Sequence, residues 1–571
     1  MTRNKEVAAV LNEIAILLEV EGKDKFKPQA YYRAVRTVGS HGEDVELLAK
    51  QNALTSIPGV GKGIAEVIND YLKTGSVPLL EDLRSKIPVK VRELESIPGV
   101  GPKKIKLFYD ELGVTDIDSL EKAIKEDKIS SLRGMGTKSQ DQIVEGIKLV
   151  REGMKRTRFA DALPIVDRIL EAVRRAPGVK RAEAAGSFRR RCETVGDIDI
   201  LAEAKDAEPV MAAFVKFEDV ANVLAQGPTK SSVRLKSNLQ VDLRVVPAES
   251  FGAGMQYFTG SVDHNVQLRS IAIKLGLRLN EYGLFRGDVP VAGEDEEGIY
   301  KKLGLPLIPP ELREGTGEVE AAQKNALPHL VTLDDIQGDL HSHTDQSDGA
   351  NTIEDMLNAA QARGYKYYCV SDHTQSLAIA NGMDEGRLLK RIDEIDDLNA
   401  SGNWKMKILK GAEVDILSTG SLDIEDEVLS QLDLVTVSIH SRMKDETDVM
   451  TERVCEALRN KYVHILGHPT GRLISRRPEF HIDLRQVFET AKENNVAMEL
   501  NAHPSRLDLD AGNLRVAIGM GLKIAINTDA HRIEELDMMR FGIYQARRGW
   551  VSKKDVLNTF TLKDLLRFIK K

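Results

Sequence analysis

The chain has 571 residues, 42% hydrophobic and 29% charged, a composition that excludes disorder and predicts three or more globular domains. The formal net charge of -8, with 38 acidic against 31 basic side chains in residues 335–571, excludes a broad basic field, so any contact with a polyanion must be local. The three cysteines, Cys192, Cys369 and Cys455, are too scattered for a metal or disulfide framework, and no window resembles a signal core or a membrane span, so a cytoplasmic protein with reduced thiols is expected.

In chain order, the first 150 residues repeat one pattern three times: Ile57-Pro58-Gly59-Val60-Gly61-Lys62, Ile97-Pro98-Gly99-Val100-Gly101-Pro102 and Leu132-Arg133-Gly134-Met135-Gly136-Thr137. Helix-like segments flank each copy, which predicts two all-α domains, 1–82 and 83–154. The glycines permit a tight turn with positive φ, and the turn exposes amides that open the second helix and favour an anion. A lone GxG is usually only a turn, and without a βαβ unit the dinucleotide fingerprint fails. Three copies in one setting resemble helix-hairpin-helix motifs, which implies contact with DNA backbone phosphates without reading sequence. The residues so implied are Gly59, Gly61, Lys62, Gly99, Gly101, Lys103, Gly134, Gly136 and Lys138. The plainer alternative is a helical repeat that only packs.

From about 155 the pattern becomes mixed α and β, with strand-like runs GDIDILAEA and LQVDLRVV. Asp197 and Asp199 alternate on the first run and so share a face. Asp242 sits between apolar neighbours in the second, where a carboxylate is costly unless paired or metal-bound. Three such carboxylates can hold two Mg²⁺ ions about 3.5–4 Å apart. The turn at Gly186-Ser187, with Arg190 and Gly196, offers amides, a hydroxyl and charge to a triphosphate. This Gly-Ser, Arg-Arg, Gly-Asp-x-Asp order resembles the nucleotidyltransferases. Tyr257-Phe258-Thr259-Gly260-Ser261, followed by Asn265 and Arg269, resembles the family X DNA polymerases, as do Gln29-Ala30-Tyr31 and the first two glycine repeats. That resemblance implies an α+β palm at 155–250 and a thumb at 251–312. It also implies that Tyr257 and Phe258 lie beside the incoming sugar, Asn265 contacts the base or minor groove, and Arg269 contacts the template strand. Lys27, Tyr31 and Lys62 would bind a 5′-phosphate. Two positions depart from the family. Val67 stands where a Schiff-base lysine often lies, which argues against lyase activity by that route, and Gln240 replaces a basic residue two before the third aspartate.

A Pro-, Gly- and Glu-rich stretch from about Gly304 to Asp334 reads as a linker, with 313–334 its core. Beyond it, seven strand-like runs alternate with helices, which predicts a parallel sheet closed as a (β/α)7 barrel over 335–571. Six of the seven runs end in ligand-type residues: His341, His343 and Asp348; His373; Glu413; His440; His468; Asp529 and His531. Such strand ends converge on one face of a barrel. Nine such side chains exceed one ion's needs, and the mixture of imidazole and carboxylate suits Mn²⁺ or Zn²⁺. The motifs His341-Ser342-His343, Ser371-Asp372-His373, Gly411-Ala412-Glu413, Ile439-His440-Ser441, Gly467-His468-Pro469 and Thr528-Asp529-Ala530-His531 resemble the PHP (polymerase and histidinol phosphatase) family. The resemblance implies three ions: one on His341, His343, Glu413 and Asp529, one on Asp348, His373 and His531, and one on Glu413, His440 and His468. Arg442, Arg472 and Arg532, next to ligands, are phosphate-binding candidates or else solvated rim residues. His464, His481 and His503 read as structural.

The combination resembles the bacterial and archaeal family X polymerases that carry a PHP domain. It implies a monomeric repair polymerase acting with dNTPs on gapped or nicked duplex DNA, together with a 3′→5′ exonuclease; abasic-site and 3′-phosphate processing are alternatives for the same barrel. Two other readings are a nucleotidyltransferase fused to a small-molecule phosphatase of histidinol-phosphatase type, and a DNA-binding scaffold with decayed sites.

Overall fold

The structure is a computed structural model that describes residues 3–24, 26–39, 45–57, 59–97, 99–132 and 134–570. The chain forms two compact units, Met1–Met154 with Ser475–Arg477, and the remaining residues to Lys571.

The first unit is all-α. Gly59, Gly99 and Gly134 take φ of 84°, 81° and 80°, so each expected turn uses the left-handed conformation that glycine adopts without cost. Helices α1 (Lys62–Thr74), α2 (Pro102–Leu112) and α3 (Thr137–Lys155) follow the three turns, with Gly61 and Gly101 as the N-caps of the first two. Ile57, Val60, Ile97, Val100 and Met135 point into the interior. One continuous core runs from Val7 to Val150, so packing does not break near residue 82. Arg84 and Arg92 both pair with Glu13, and Asn12 donates to Glu95, across that expected boundary.

In the second unit a five-stranded sheet comprises β1 (Val179–Ala184), β2 (Asp197–Ala204), β3 (Val220–Gln226), β4 (Lys230–Leu235) and β5 (Gln240–Val246). Its order is β1-β2-β5-β4-β3, with β2 and β5 parallel and the other pairs antiparallel. Helix α4 (Phe159–Arg174) buries Phe159, Val166 and Ile169 against it. Helices α5 (Phe251–Thr259) and α6 (Val262–Lys274) lead into a small antiparallel sheet, β6 (Arg278–Asn280), β7 (Gly283–Arg286) and β8 (Val289–Ala292).

The stretch expected to be a linker is instead a strap packed on both sides. Val319 and Ala322 enter the core around α6, with Leu327 and Leu330 against it, while Val331 enters the barrel core and its N–H donates to Val551 O at 3.0 Å. Arg313, fully buried, donates to Glu296 at 2.5 Å and to Ile308 O at 2.8 Å. Composition alone concealed this, because the few apolar side chains in the stretch are divided between two cores.

Seven parallel strands follow in chain order: β9 (Gly338–Asp339), β10 (Tyr367–Val370), β11 (Lys407–Asp415), β12 (Leu434–Ser438), β13 (Ile465–Leu466), β14 (Ala497–Asn501) and β15 (Ile524–Asn527). All residues of β10, β12, β14 and β15 are buried, as expected when helices cover one face and the barrel interior the other. The ring closes between its ends by a parallel bridge of Ser342 to Ala530, with His343 N–H donating to Ala530 O at 2.8 Å. Among the described residues, no helix is long and apolar enough to cross a membrane.

Candidate active sites

The barrel brings its strand-end ligands to one rim. Three groups have ligand atoms within 4.8 Å of one another: His341, His343, Glu413 and Asp529; His343, Asp348, His373 and His531; and His373, Glu413 and His440. His468 joins the third through Nε2, 3.1 Å from Glu413 Oε1. The second group therefore takes in His343 as well, and the third takes in His373, relative to the sets implied by resemblance. Among the described residues, buried His341 Nε2, His343 Nδ1 and Glu413 Oε2 have no hydrogen-bond partner. His373 Nδ1 and Glu413 Oε2 lie 2.8 Å apart without hydrogen-bond alignment, as two ligands aimed at a shared third partner would. Leaving such groups unsatisfied costs about 1–3 kcal/mol each, more if charged. Divalent cations would satisfy them, so the residues fit the metal centre.

A layer behind the ligands orients them. Glu499, fully buried on β14, accepts from His341 Nδ1 at 2.7 Å, Asn527 Nδ2 at 3.0 Å and His468 N–H at 2.7 Å. Asp415 Oδ1 lies 3.2 Å from His440 Nδ1, and Asn501 Nδ2 donates to Asp529 Oδ2 at 2.9 Å. Such partners fix ring orientation and ligand basicity. The sequence reading passed over Glu499, the one ligand-type residue of the sixth strand. A carboxylate within apolar VAMELNA is the same signal that singled out Asp242.

The charges are strongly coupled. Burial pushes the His341 imidazole down, but Glu499, Glu413 and Asp529 together lift it well above its usual value. Burial, His531 and His373 push His343 down to about 4. For Glu413, burial acts upward, yet His373, His341 and His440 hold the carboxyl well below the usual range.

The three arginine candidates separate. Arg472 is committed, donating to Arg506 O at 3.0 Å and to Glu193 at 2.8 Å. Arg442 pairs with Asp445 at 3.1 Å, and Arg532 is half-buried. Arg506, which was not singled out, reaches within 3.9 Å of Asp529 Oδ2 and has a buried Nη1 with no hydrogen-bond partner. His464 bridges Val435 N–H at 3.1 Å and Ile569 O at 2.9 Å. His503 bonds Ser505 Oγ at 2.7 Å, and His481 is exposed; none of these three joins a ligand group.

The central site is more open. Asp199 on β2 faces Asp242 on β5 in register, and Asp197 faces Gln240. Burial, with Asp197 and Asp242 adding repulsion, raises Asp199 to about 6. Burial also acts upward on Asp242, but hydrogen bonds from Lys230, Gln240 and Ser232 hold it below the usual range. Lys230 Nζ lies 2.8 Å from Asp242 Oδ2, and Gln240 Nε2 donates to Oδ1 at 3.0 Å. The cation missing at position 240 thus reaches the aspartate from β4. Gly186 takes φ 60°, where a side chain is strained, and a Cβ there would lie 2.8 Å from Asp199 Oδ2, which would have to shift.

Gly186, Ser187, Arg190, Asp197, Asp199, Tyr257, Phe258, Gly260, Asn265 and Arg269 line one cleft of 570 Å³; Gly196 and Asp242 lie outside that lining. Arg190 donates through Nη1 to Thr259 O at 2.5 Å and through Nε to Glu314 at 3.1 Å. The Asn265 amide is turned inward, donating to Tyr257 O at 2.7 Å and accepting from Gln256 at 2.6 Å. In the first unit, Lys27, Tyr31, Gly59, Gly61 and Val67 line a cleft of 720 Å³. Tyr31 is only 4% exposed, so its ring belongs mainly to the core. Lys62 and Lys103 are exposed, and the Lys138 side chain lies outside the described ones. Among the described residues other than the chain neighbours, no atom lies within 4 Å of where a Cβ would be at Gly61, Gly101 or Gly136.

Family models match in four places: a helix-hairpin-helix domain over 2–77, a SAM-like helix-hairpin-helix tandem over 91–149, a DNA polymerase beta thumb over 254–314 and a PHP domain over 339–503. DNA polymerase lambda of Rattus norvegicus is 25% identical over 342 residues, 54% of this chain and 56% of its own. A probable phosphatase of Thermoanaerobacter sp. (strain X514) is 29% identical over 234 residues, 39% of this chain and 89% of its own. The DNA polymerase/3′-5′ exonuclease PolX of Bacillus subtilis (strain 168) is 39% identical over 572 residues, 99% of both chains. Because that match runs unbroken through the glycine repeats, the palm, the strap and the barrel, the chain belongs to the PolX family.

Proposed function

We propose that this chain is a DNA-directed DNA polymerase that fills short gaps during repair, and that its barrel is a 3′→5′ exonuclease. The full-length likeness to a polymerase/exonuclease, spanning both carboxylate sites, carries this reading. Two Mg²⁺ ions would sit on Asp197, Asp199 and Asp242, and up to three Mn²⁺ or Zn²⁺ ions on the nine rim ligands. When bound, such cations polarise the phosphorus centre, acidify the attacking hydroxyl or water and offset charge on the leaving oxygen.

The chain's own residues supply the rest. Asp242, kept ionised by Lys230 and Gln240, accepts the proton of the primer 3′-hydroxyl. Ser187 and Arg190 hold the triphosphate, and Tyr257 with Phe258 forms the wall beside the sugar. At the rim, Glu499 and Asp415 turn the imidazoles of His341 and His440 towards their ligand groups. The glycine turns grip backbone phosphates of gapped or nicked duplex DNA, and the protein works as a cytoplasmic monomer. Val67 carries no amine, so no imine with a 5′-deoxyribose phosphate forms at that position.

A one-nucleotide gap with a mismatched primer end, incubated with and without dNTP in Mg²⁺ and in Mn²⁺, tests this. Extension of a paired end with dNTP and shortening of the mismatched 3′ end without it are expected; failure of either removes the corresponding half. The phosphatase relative, which matches 39% of this chain, motivates a second reading, a small-molecule phosphatase. Faster release of phosphate from a generic ester than of nucleotide from a 3′ end would favour that reading.

A further inference from the structure

A helix of the barrel, Met539–Arg548, ends against the polymerase loop that carries Arg190. Arg548 Nη1 donates to Arg190 O at 2.9 Å and to Glu314 Oε1 at 2.8 Å. The same Glu314 oxygen accepts from Arg190 Nε at 3.1 Å. One half-buried carboxylate is therefore shared by two guanidiniums, one from each catalytic region. Neighbouring contacts hold the same loop: Glu193 accepts from Arg472 at 2.8 Å and from Gln545 at 2.7 Å, and the Arg191 guanidinium stacks 4.6 Å from the Tyr544 ring. Four barrel side chains, Arg548, Tyr544, Arg472 and Gln545, thus hold residues 190–193, while Ser187, Arg190 and Asp197 face the cleft.

The sharing has a consequence for charge. One carboxylate neutralises one guanidinium, so Arg190, Arg548 and Glu314 together keep one net positive charge beside the cleft. Without Arg548, Glu314 belongs to Arg190 alone. A two-pronged pair would then form, turning the Arg190 guanidinium towards Glu314 and cancelling the charge it offers to phosphate. Removal of Arg548 would also free the Arg190 carbonyl. We propose that Arg548, a barrel residue, is a positioning residue of the polymerase reaction: by sharing Glu314 and holding the Arg190 backbone, it keeps the charge of the Arg190 guanidinium only partly offset and directed at the incoming triphosphate. The proposal rests on the reading of Arg190 as a triphosphate ligand. It gives the barrel a role in polymerisation separate from its own chemistry, since Arg548 hydrogen-bonds to Arg190 O, Cys192 Sγ and Glu314 and not, among the described residues, to the rim ligands.

The test is steady-state gap filling by the full chain in Mg²⁺, with dNTP varied, alongside 3′-end shortening in Mn²⁺. In Arg548→Gln, KM for dNTP should rise roughly tenfold with kcat changed by less than about twofold, and 3′-end shortening should keep its wild-type rate. Adding Glu314→Gln to that variant should bring KM back towards wild type, because the competitor for Arg190 is weakened; a packing defect would instead deepen. An unchanged KM in Arg548→Gln, or a double variant worse than the single, overturns the proposal. If Arg548→Gln also loses 3′-end shortening, Glu314→Gln alone decides: an unraised KM supports charge sharing and a raised KM contradicts it. Arg190→Ala separates the underlying reading. If it leaves KM unaltered, Arg190 is not the triphosphate ligand; if it raises KM while Arg548→Gln does not, the reading stands and the proposal fails.

Discussion

The barrel rim and the palm cleft both gather carboxylates, but they neutralise them differently. At the rim, buried carboxylates face imidazoles, and several buried lone pairs point at no protein partner. In the palm, Asp242 is balanced by a protein cation, Lys230, and Asp199 is left raised by burial and by repulsion from Asp197 and Asp242. Among the described residues, the tight ligand groups all lie on the rim. The difference teaches that the rim leaves buried ligand atoms without a protein partner, whereas the palm balances part of its carboxylate charge with protein groups.

The strongest way to break this comparison is at Gly186. Gly186→Ala places a methyl against Asp199 in a strained backbone conformation, so gap filling should fall to background while 3′-end shortening continues. Next is the layer behind the rim. Glu499→Gln should weaken metal binding roughly 10- to 100-fold, read by titration of the metal-depleted protein, with gap filling unaffected. Lys230→Ala has a smaller effect on the palm. Losing its cation raises the Asp242 carboxyl, so the acid limb of the gap-filling pH profile should move to higher pH and the rate should fall by roughly tenfold. An unmoved limb would remove Lys230 from the account.

The smallest effect concerns the strap. Buried His264 bonds Glu318 at 2.7 Å and Tyr300 at 2.8 Å, and burial holds its imidazole below 6.5. Below pH 6.5 the unfolded chain therefore binds a proton that the folded chain resists, so stability is lost as pH falls. Thermal unfolding followed against pH should show this loss, and His264→Gln should flatten the slope.

The rim was largely legible in the sequence because its ligands sit one strand end after another, a pattern that local spacing reveals. All nine positions lie in the ligand groups or, for His468, against Glu413. What spacing could not reveal were partners joined only by folding. Glu499 meets His341 across 158 residues of chain, and Lys230 meets Asp242 from the neighbouring strand. The packing of the strap was hidden for a related reason, since its apolar residues are divided between two cores that meet within it. Arg472, a candidate either for phosphate or for the solvated rim, is tied by the fold to Glu193, a partner that spacing could not reveal.

Asp242→Ala and Glu413→Ala, each assayed for both activities on the same gapped, mismatched DNA, test the central claim of two separable sites. The account predicts that the first loses extension and keeps 3′-end shortening, and that the second does the reverse. Full extension by Asp242→Ala, or undiminished shortening by Glu413→Ala, would contradict it.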